Sequence, residues 1–424
     1  MKDETIQSRS PSDGEWATVI RCIYDAFGVA SAPQERELEA QLRPVNRRVL
    51  VADSQGIFGG AFAYDFALSL PGGTVCPVGG LAGVGITPVS QGRGGLQAMM
   101  RTHLEQSMAL GDAASVLMAS ESGIYHRYGY GVVTEMVRWH LDTRAFALAH
   151  RDTDESMHHA SEVRIKLLHD RQQAIVMLAS IHRQYCHSRA MEIVRDELWW
   201  RYMLEPEDAS WVSVGKTKFI AVHFNSRGEA DGYAIYSVED DSDSSFSHGR
   251  SNSRVVLTEL CTLSLEAELS LFRYLVNLPW CRGLLWELGP VDPPVRHFMS
   301  DPRQLWQQSR VDMLWLRPLD VQRLLTQRQY TSDGTVVINY VDHQLPELSG
   351  CWQLMVEAGR ARLQKSVSDR YVSLGPAEFA TVYAGAARVA ELTAVGKITG
   401  DSESINALDR LFLTPRAPFN STRF

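Results

Sequence analysis

Residues Ala119 to Gly131 read ASESGIYHRYGYG, setting Tyr125, Tyr128 and Tyr130 with His126 and Arg127 between serine and glycine turn residues, directly after the apolar run Ala113 to Met118. Two readings fit these residue types. Tyrosines at the end of a strand pack a corner and hydrogen-bond through their hydroxyls. A phenol is also an O–H donor that can pass its proton to a leaving group in a dry pocket. The spacing alone leaves both open.

A second stretch, GVGITPVSQGRGGLQAMM, places Gly92, Arg93, Gly94 and Gly95 where a strand gives way to a helix. Backbone N–H groups of such a turn can converge on an anion with the helix N-terminus behind them, and phosphate is the obvious candidate. The stretch GRGGLQ lacks the Lys-Ser/Thr end of an ATP-binding P-loop, and neither GVGITP nor GRGGLQ completes the dinucleotide pattern GxGxxG. By itself, a glycine-rich turn is usually only a turn.

The elements around these stretches follow from periodicity. Trp16, Ile20, Ile23 and Phe27 recur at nearly helical spacing, and RRVLVADSQGIFGGAFAYDFAL reads as two strands about a glycine-containing turn. LAGVGITP is a further strand. In LQAMMRTHLEQSMALG, residues Leu96, Met99, Met100, His103, Leu104 and Met108 mark one helical face, and Gly111 is placed to end that helix. The segment VRWHLDTRAF then closes a first domain, residues 1–147, as an amphipathic strand.

A second domain, 148–317, starts with the helix-like segments DRQQAIVMLASIHRQYC and RDELWWRYMLEP. Strands follow through YAIYSV, and an acidic, serine-rich loop from Glu239 to Ser253 reads as a solvated insertion. Strands RVVLTELC and GLLWELG flank the helix-like LEAELSLFRYLVNLP, so the strand–helix–strand order of the first domain returns without a visible sequence repeat. A third domain, 318–424, has helices at DVQRLLTQRQY, GPAEFATVYAG and SINALDRLF, with antiparallel strands at GTVVINYVD and GCWQLMVEAGRARLQK. The tail LTPRAPFNSTRF shows no regular element and is either disordered or docked through Phe419 and Phe424. The fold class is α+β.

A chain of 424 residues exceeds one ordinary core. With 45% hydrophobic residues and no apolar run near the roughly 20 residues that span a bilayer, membrane insertion is not expected. The polar start MKDETIQSRS lacks the apolar stretch of a secretion signal, which predicts a cytoplasmic protein. Six scattered cysteines without a CxxC pair fit reduced, mostly buried thiols. A formal charge of -8 argues against a general nucleic-acid binder, which carries a basic surface.

Taken together, GVGITPVSQGRGGLQAMM and ASESGIYHRYGYG resemble the GNAT acetyltransferases, and specifically the enhanced intracellular survival (Eis) family. The resemblance extends along the chain and implies two GNAT-like domains, the second degenerate, then a sterol-carrier-protein-like domain and a short tail ending in phenylalanine after TPRAPF. It also implies a homohexamer.

The resemblance further implies that acetyl-CoA lies against Val84, Gly85 and Ile86, with its pyrophosphate at Gly92, Arg93, Gly94, Gly95, Leu96 and Gln97. Ser120 and Glu121 would flank the pantetheine and thioester, Tyr125 would be the general acid, and the α-carboxylate of Phe424 the general base. A free α-carboxyl titrates at roughly 3.5, so an effective base there needs burial. Family members that acetylate aminoglycosides offer an acidic residue beside the terminal phenylalanine. Here that place is Arg423, a group that repels polycations, and Asp25 in YDAFG is the candidate for the remaining acidic contact.

Several residues have plainer readings. Tyr128 and Tyr130 read as packing around the turn. His126 has the chemistry of a base, but neighbours on an extended strand face opposite ways, which turns it away from Tyr125. His182, Cys186 and His187 in IHRQYCH have i, i+4 spacing, yet no further ligand is evident, so no metal is predicted. Trp199 and Trp200 read as core anchors. Two functions follow: an acetyl-CoA-dependent N-acetyltransferase acting on amines such as aminoglycosides or lysine side chains, or a non-catalytic lipid- or acyl-CoA-binding scaffold.

Overall fold

The computed structural model describes residues 6–30, 37–143, 146, 164–204, 218–240 and 253–424. Of the predicted acidic loop from Glu239 to Ser253, the ends lie in strands and residues 241–252 are outside the described residues, as are the predicted boundary at 147 and 148 and the first five residues. The chain divides into two compact units: Met1–Thr134 with Met313–Pro418 and Thr422–Phe424, and Glu135–Asp312 with Phe419–Ser421. Among the described residues no helix is long and apolar enough to cross a membrane.

The first unit contains the strands β1 (Gln7–Arg9), β2 (Arg48–Asp53), β3 (Gly56–Ser69), β4 (Val75–Ile86), β5 (Ala114–Leu117) and β6 (Gly131–Val132). They run in sheet order, with the strand Trp315–Pro318 inserted antiparallel between β5 and β6. Its helices include α1 (Asp13–Ala26), α2 (Glu37–Leu42), α3 (Gly95–Ala109) and the single turn α4 (Ser122–Tyr125). At the start of α1 the Glu15 carboxylate accepts the Ser12 backbone N–H at 2.8 Å, and the helix buries Trp16, Val19, Ile20, Cys22 and Ile23. Each large apolar side chain so buried contributes about 1.5–3 kcal/mol. Helix α3 carries the chain from β4 to the parallel strand β5, and buries Met99, Met100, His103 and Leu104 as their spacing predicts. It stops at Gly111, where the Gly111 and Asp112 N–H groups donate to the Met108 and Ser107 carbonyls, each at 3.0 Å.

A smaller sheet in the same unit runs in the order Arg360–Lys365, Gly350–Glu357, Gly334–Tyr340, Val372–Leu374, Thr399–Gly400. The helix Pro376–Ala384 buries Phe379 edge-on to Tyr340, and the predicted helix at SINALDRLF spans Ser402–Leu411.

The second unit is built on a seven-stranded sheet in the order Leu305–Asp312, Glu135–Asp142, Cys281–Gly289, Ser253–Thr262, Ala230–Asp240, Phe219–Phe224, Ile165–Leu168. Trp199 and Trp200 are fully buried, as core anchors should be.

Two strands depart from the sequence reading. Glu135–Asp142, expected to close the first domain, pairs with Cys281–Gly289 and Leu305–Asp312 in the second unit, where Val137, Trp139 and Leu141 join a core with Phe272 and Trp286. Trp315–Pro318, which straddles the predicted boundary between 317 and 318, lies in the first unit's sheet. Alternation identifies a strand and its inward face, but not the sheet that strand will join.

The tail has no regular element and is docked. Phe419 is buried, its N–H donating to the Ala190 carbonyl at 3.0 Å. The Glu192 carboxylate accepts the Ser421 N–H at 3.0 Å and the Ser421 hydroxyl at 2.9 Å.

Candidate active site

β4 pairs with β5 only from Val78↔Ala114 to Leu81↔Leu117, yet continues to Ile86. Opposite β3 its register jumps between Gly60↔Gly85 and Phe62↔Ala82, so Gly83 and Val84 face the single residue Ala61. Such a bulge bends a strand out of its ladder. Past Leu81, β4 has no partner on the β5 side among the described residues, and Ala82, Gly83, Val84 and Ile86 are half-buried there. Gly85 is needed for close packing: a Cβ would stand 2.9 Å from the Ile23 Cα of α1.

Beyond Ile86 the chain turns through Gly92 and into α3. Gly92 has φ +76° and Gly94, the residue just before α3, φ +89°, a region that disfavours side chains. Among the described residues no side chain caps α3, and a Cβ at Gly94 would meet only Ile6 at 3.8 Å. Val84, Gly85, Ile86, Gly92, Gly94, Gly95, Leu96 and Gln97 thus form one strand–turn–helix with an uncapped, positively polarised helix end. Arg93 adds a cation. It is held by Asp53 of β2 at 2.5 Å and lies over the Phe58 ring at 5.3 Å. The Gln55 N–H, which Asp53 accepts at 2.7 Å, and then Arg93 hold the Asp53 carboxyl below its usual range. No sequence motif marks Asp53, forty residues from its partner.

A cradle of this kind fits the pyrophosphate of a coenzyme A thioester, and the same place in the second unit does not. There the strand Ser253–Thr262 leads into the helix Leu265–Val276 without a glycine. The Ser264 hydroxyl accepts the Ala267 N–H at 3.1 Å and donates to Asp231 at 2.8 Å, and Glu266 and Glu268 occupy the first turn. The helix end is filled and negatively charged.

After β5, Ser120 and Glu121 are exposed. Tyr125 closes the turn α4 and is followed by a 3-10 turn, His126–Tyr128. This corrects the extended conformation assumed for Tyr125 and His126; the segment coils instead, and of the two only Tyr125 is buried while His126 is exposed. Tyr125 shares a core cluster with Leu117, Tyr128, Tyr130 and Trp315, against which Val84, Ile86 and Leu96 also pack. Burial, reinforced by the Glu121 charge, pushes its phenol up to about 12. The hydroxyl is therefore protonated throughout the neutral range.

The ring of Phe424 packs on β3, 5.0 Å from the Phe66 ring and 6.0 Å from that of Tyr64. Gly80 of β4 leaves room for the Phe66 ring, which a Cβ there would strike, while the Phe424 ring would be in ordinary contact with it at 3.5 Å. Arg423 is exposed, and Asp25 is exposed in the last turn of α1.

The possible metal ligands of the second unit satisfy one another. His182 Nδ1 lies 3.5 Å from the Cys186 sulfur, and its Nε2 lies 3.4 Å from Glu192, while His187 is exposed.

Family models described as an acetyltransferase (GNAT) domain match residues 7–133 and 192–318, and one described as a sterol carrier protein domain matches 321–421. The fold and the site thus define an acetyltransferase built from two GNAT domains and a sterol-carrier-protein-like domain, which sets aside the scaffold reading. The chain is 27% identical to an uncharacterized N-acetyltransferase of Streptomyces avermitilis, over 99% of this chain and 98% of that protein. It is 26% identical to N-acetyltransferase Eis of Mycobacterium tuberculosis, over 96% and 97%. The crystal structure of Eis1 from Mycobacterium abscessus matches with a TM-score of 0.81 at 25% identity, covering 99% of this chain and 100% of that one. A GCN5-related N-acetyltransferase from Anabaena variabilis, 17% identical with a TM-score of 0.83, shares the fold. The chain thus carries two GNAT acetyltransferase domains and is similar along nearly its whole length to the N-acetyltransferases named Eis.

Proposed function

We propose that the protein transfers acetyl from acetyl-CoA to the amine of a small molecule, aminoglycoside-like, or of a lysine side chain. The observation that carries this reading is the uncapped glycine turn at the start of α3, continuous with a strand that leaves its ladder beside β5 and packed against the same cluster as Tyr125.

Val84, Gly85 and Ile86 would line the pantetheine arm, with Ser120 and Glu121 across from them. The backbone of Gly92 to Gln97, with Arg93, would hold the pyrophosphate. Bound acetyl-CoA supplies the acetyl group as a thioester. The amine attacks in its neutral form, its lone pair making the C–N bond, while the Phe424 α-carboxylate takes one N–H proton from that nitrogen and later returns it to the Tyr125 oxygen through solvent. As the C–S bond breaks, Tyr125 donates its proton to sulfur. Asp25 and Arg423 would meet the rest of the acceptor. The protein would work in the cytoplasm as a homohexamer, without a metal, nucleic-acid or membrane partner.

Release of free CoA, followed with a thiol reagent, tests this with kanamycin, spermidine and a lysine-containing peptide as acceptors. Acetyl-CoA consumption that rises with one of these amines and gives the N-acetyl product supports the reading; binding of acetyl-CoA without turnover on any of them contradicts it.

A further inference from the structure

Three buried polar side chains from three elements form a chain behind Tyr125. The hydroxyl of Tyr130, at the entry to β6, lies 2.7 Å from the Ser115 hydroxyl of β5, which lies 2.7 Å from Nε2 of His103 in α3. All three residues are at most 1% exposed. Burial keeps the imidazole neutral, pushing His103 down to about 3, and keeps the Tyr130 phenol protonated. The Ser115 hydroxyl also lies 3.3 Å from the Gly79 carbonyl, so its one proton and its lone pairs are shared among Gly79, Tyr130 and His103. The Tyr130 ring is held at its far end.

That ring meets Tyr125 edge-on, with centroids 6.1 Å apart at 70°, and the Tyr130 N–H donates to the Tyr125 carbonyl at 3.3 Å. Around Tyr125 the turn is open: Ser120, Glu121, Ser122, Gly123, His126 and Arg127 are exposed. A buried ring in an exposed turn takes its orientation from what it packs against. Apolar side chains would fill the space at 103, 115 and 130 equally well. The polar chain adds direction, because a satisfied buried hydrogen-bond network admits one arrangement where apolar packing admits several.

We propose that Tyr130, pinned by Ser115 and His103, is a positioning residue for acetyl transfer: its ring fixes the orientation in which Tyr125 presents its hydroxyl. This rests on the reading of Tyr125 as the proton donor. Tyr130 itself touches no reacting atom.

The test is a double-mutant cycle in the full-length protein, with acetyl-CoA and whichever of kanamycin, spermidine and the lysine-containing peptide turns over fastest. Tyr130→Phe, which frees the ring, should lower kcat about three- to ten-fold, and Tyr130→Leu, which removes it, further, with KM for acetyl-CoA changed less than about two-fold. In a Tyr125→Phe background neither substitution should lower kcat again, since no hydroxyl remains to be aimed. Ser115→Ala breaks the chain one link further back and should repeat the pattern if a Tyr130 variant fails to fold. A loss that persists in full in the Tyr125→Phe background, or unchanged kcat in both Tyr130 variants, overturns the inference and leaves the role of Tyr125 standing. Near-normal turnover by Tyr125→Phe alone overturns both.

Discussion

The ring of the last residue, Phe424, lies 5.0 Å from that of Phe66, inclined at 70°, on the strand beside β4. Phe62, Tyr64 and Phe66 share one face of β3 by their alternate spacing, and Phe62 and Tyr64 also meet edge-on at 5.4 Å. The Phe424 side chain completes that aromatic row, on the sheet that carries the glycine turn and Tyr125.

The turn itself gives the first test. Gly94 has φ +89°, where a β-branched residue is strained, and its side-chain position opens toward the helix end that would receive phosphate. Gly94→Val should weaken acetyl-CoA binding by about ten-fold or more, measured by calorimetry. Unchanged affinity would move the pyrophosphate elsewhere.

Tyr125→Phe removes one oxygen from a buried ring. It should leave acetyl-CoA affinity intact and lower kcat by about 10²-fold, roughly 2.7 kcal/mol of barrier. Because the phenol is held up at about 12, the wild-type rate should show no alkaline loss assignable to Tyr125 below about pH 10. An alkaline limb near neutral pH that disappears in Tyr125→Phe would contradict this.

His103 links the site to acid stability. Its imidazole is pushed down to about 3 by burial and the Arg47 charge, whereas in the unfolded chain it titrates at its ordinary value near 6.5. Between these values the unfolded chain binds the extra proton. The stabilisation is therefore complete above about pH 6.5 and is lost as pH falls toward 3. His103→Gln should flatten the fall in melting temperature between pH 6.5 and 4.5, read by calorimetry. A slope equal to that of the wild type would show that other groups set it.

Arg423 bears on the acceptor. An exposed guanidinium next to the terminal carboxylate opposes a polycation. Acetylation of kanamycin should accordingly be weak, and Arg423→Glu should lower KM for kanamycin and spermidine. An unchanged or higher KM for both would remove Arg423 from the acceptor's surroundings.

Much of the first unit was legible because local signals agreed. The period of Met99, Met100, His103 and Leu104 fits only a helix, and the glycines at 92, 94 and 95 mark its start. Partnerships across the chain were not legible. Nothing in the alternation of Val137, Trp139 and Leu141 names the sheet they fill. Asp53 carries no mark of Arg93, and Tyr130 reads as packing until Ser115 and His103 stand beside it. The turn at Ser122–Tyr125 was missed because a single helical turn is too short to show a period, and the apolar run before it suggested that the strand continued.

The role assigned to the chain's end is the central claim, and amidating Phe424 by semisynthesis tests it most directly. Amidation replaces one oxygen with nitrogen, removing the charge with little change in size, while the ring on Phe66 and Tyr64 is untouched. The amidated protein should bind acetyl-CoA and melt as the wild type does but lose kcat by about 10²-fold, whereas Phe424→Leu, which keeps the carboxylate, should retain much more activity. Wild-type turnover by the amidated protein across its pH range would show that the α-carboxylate is not the base.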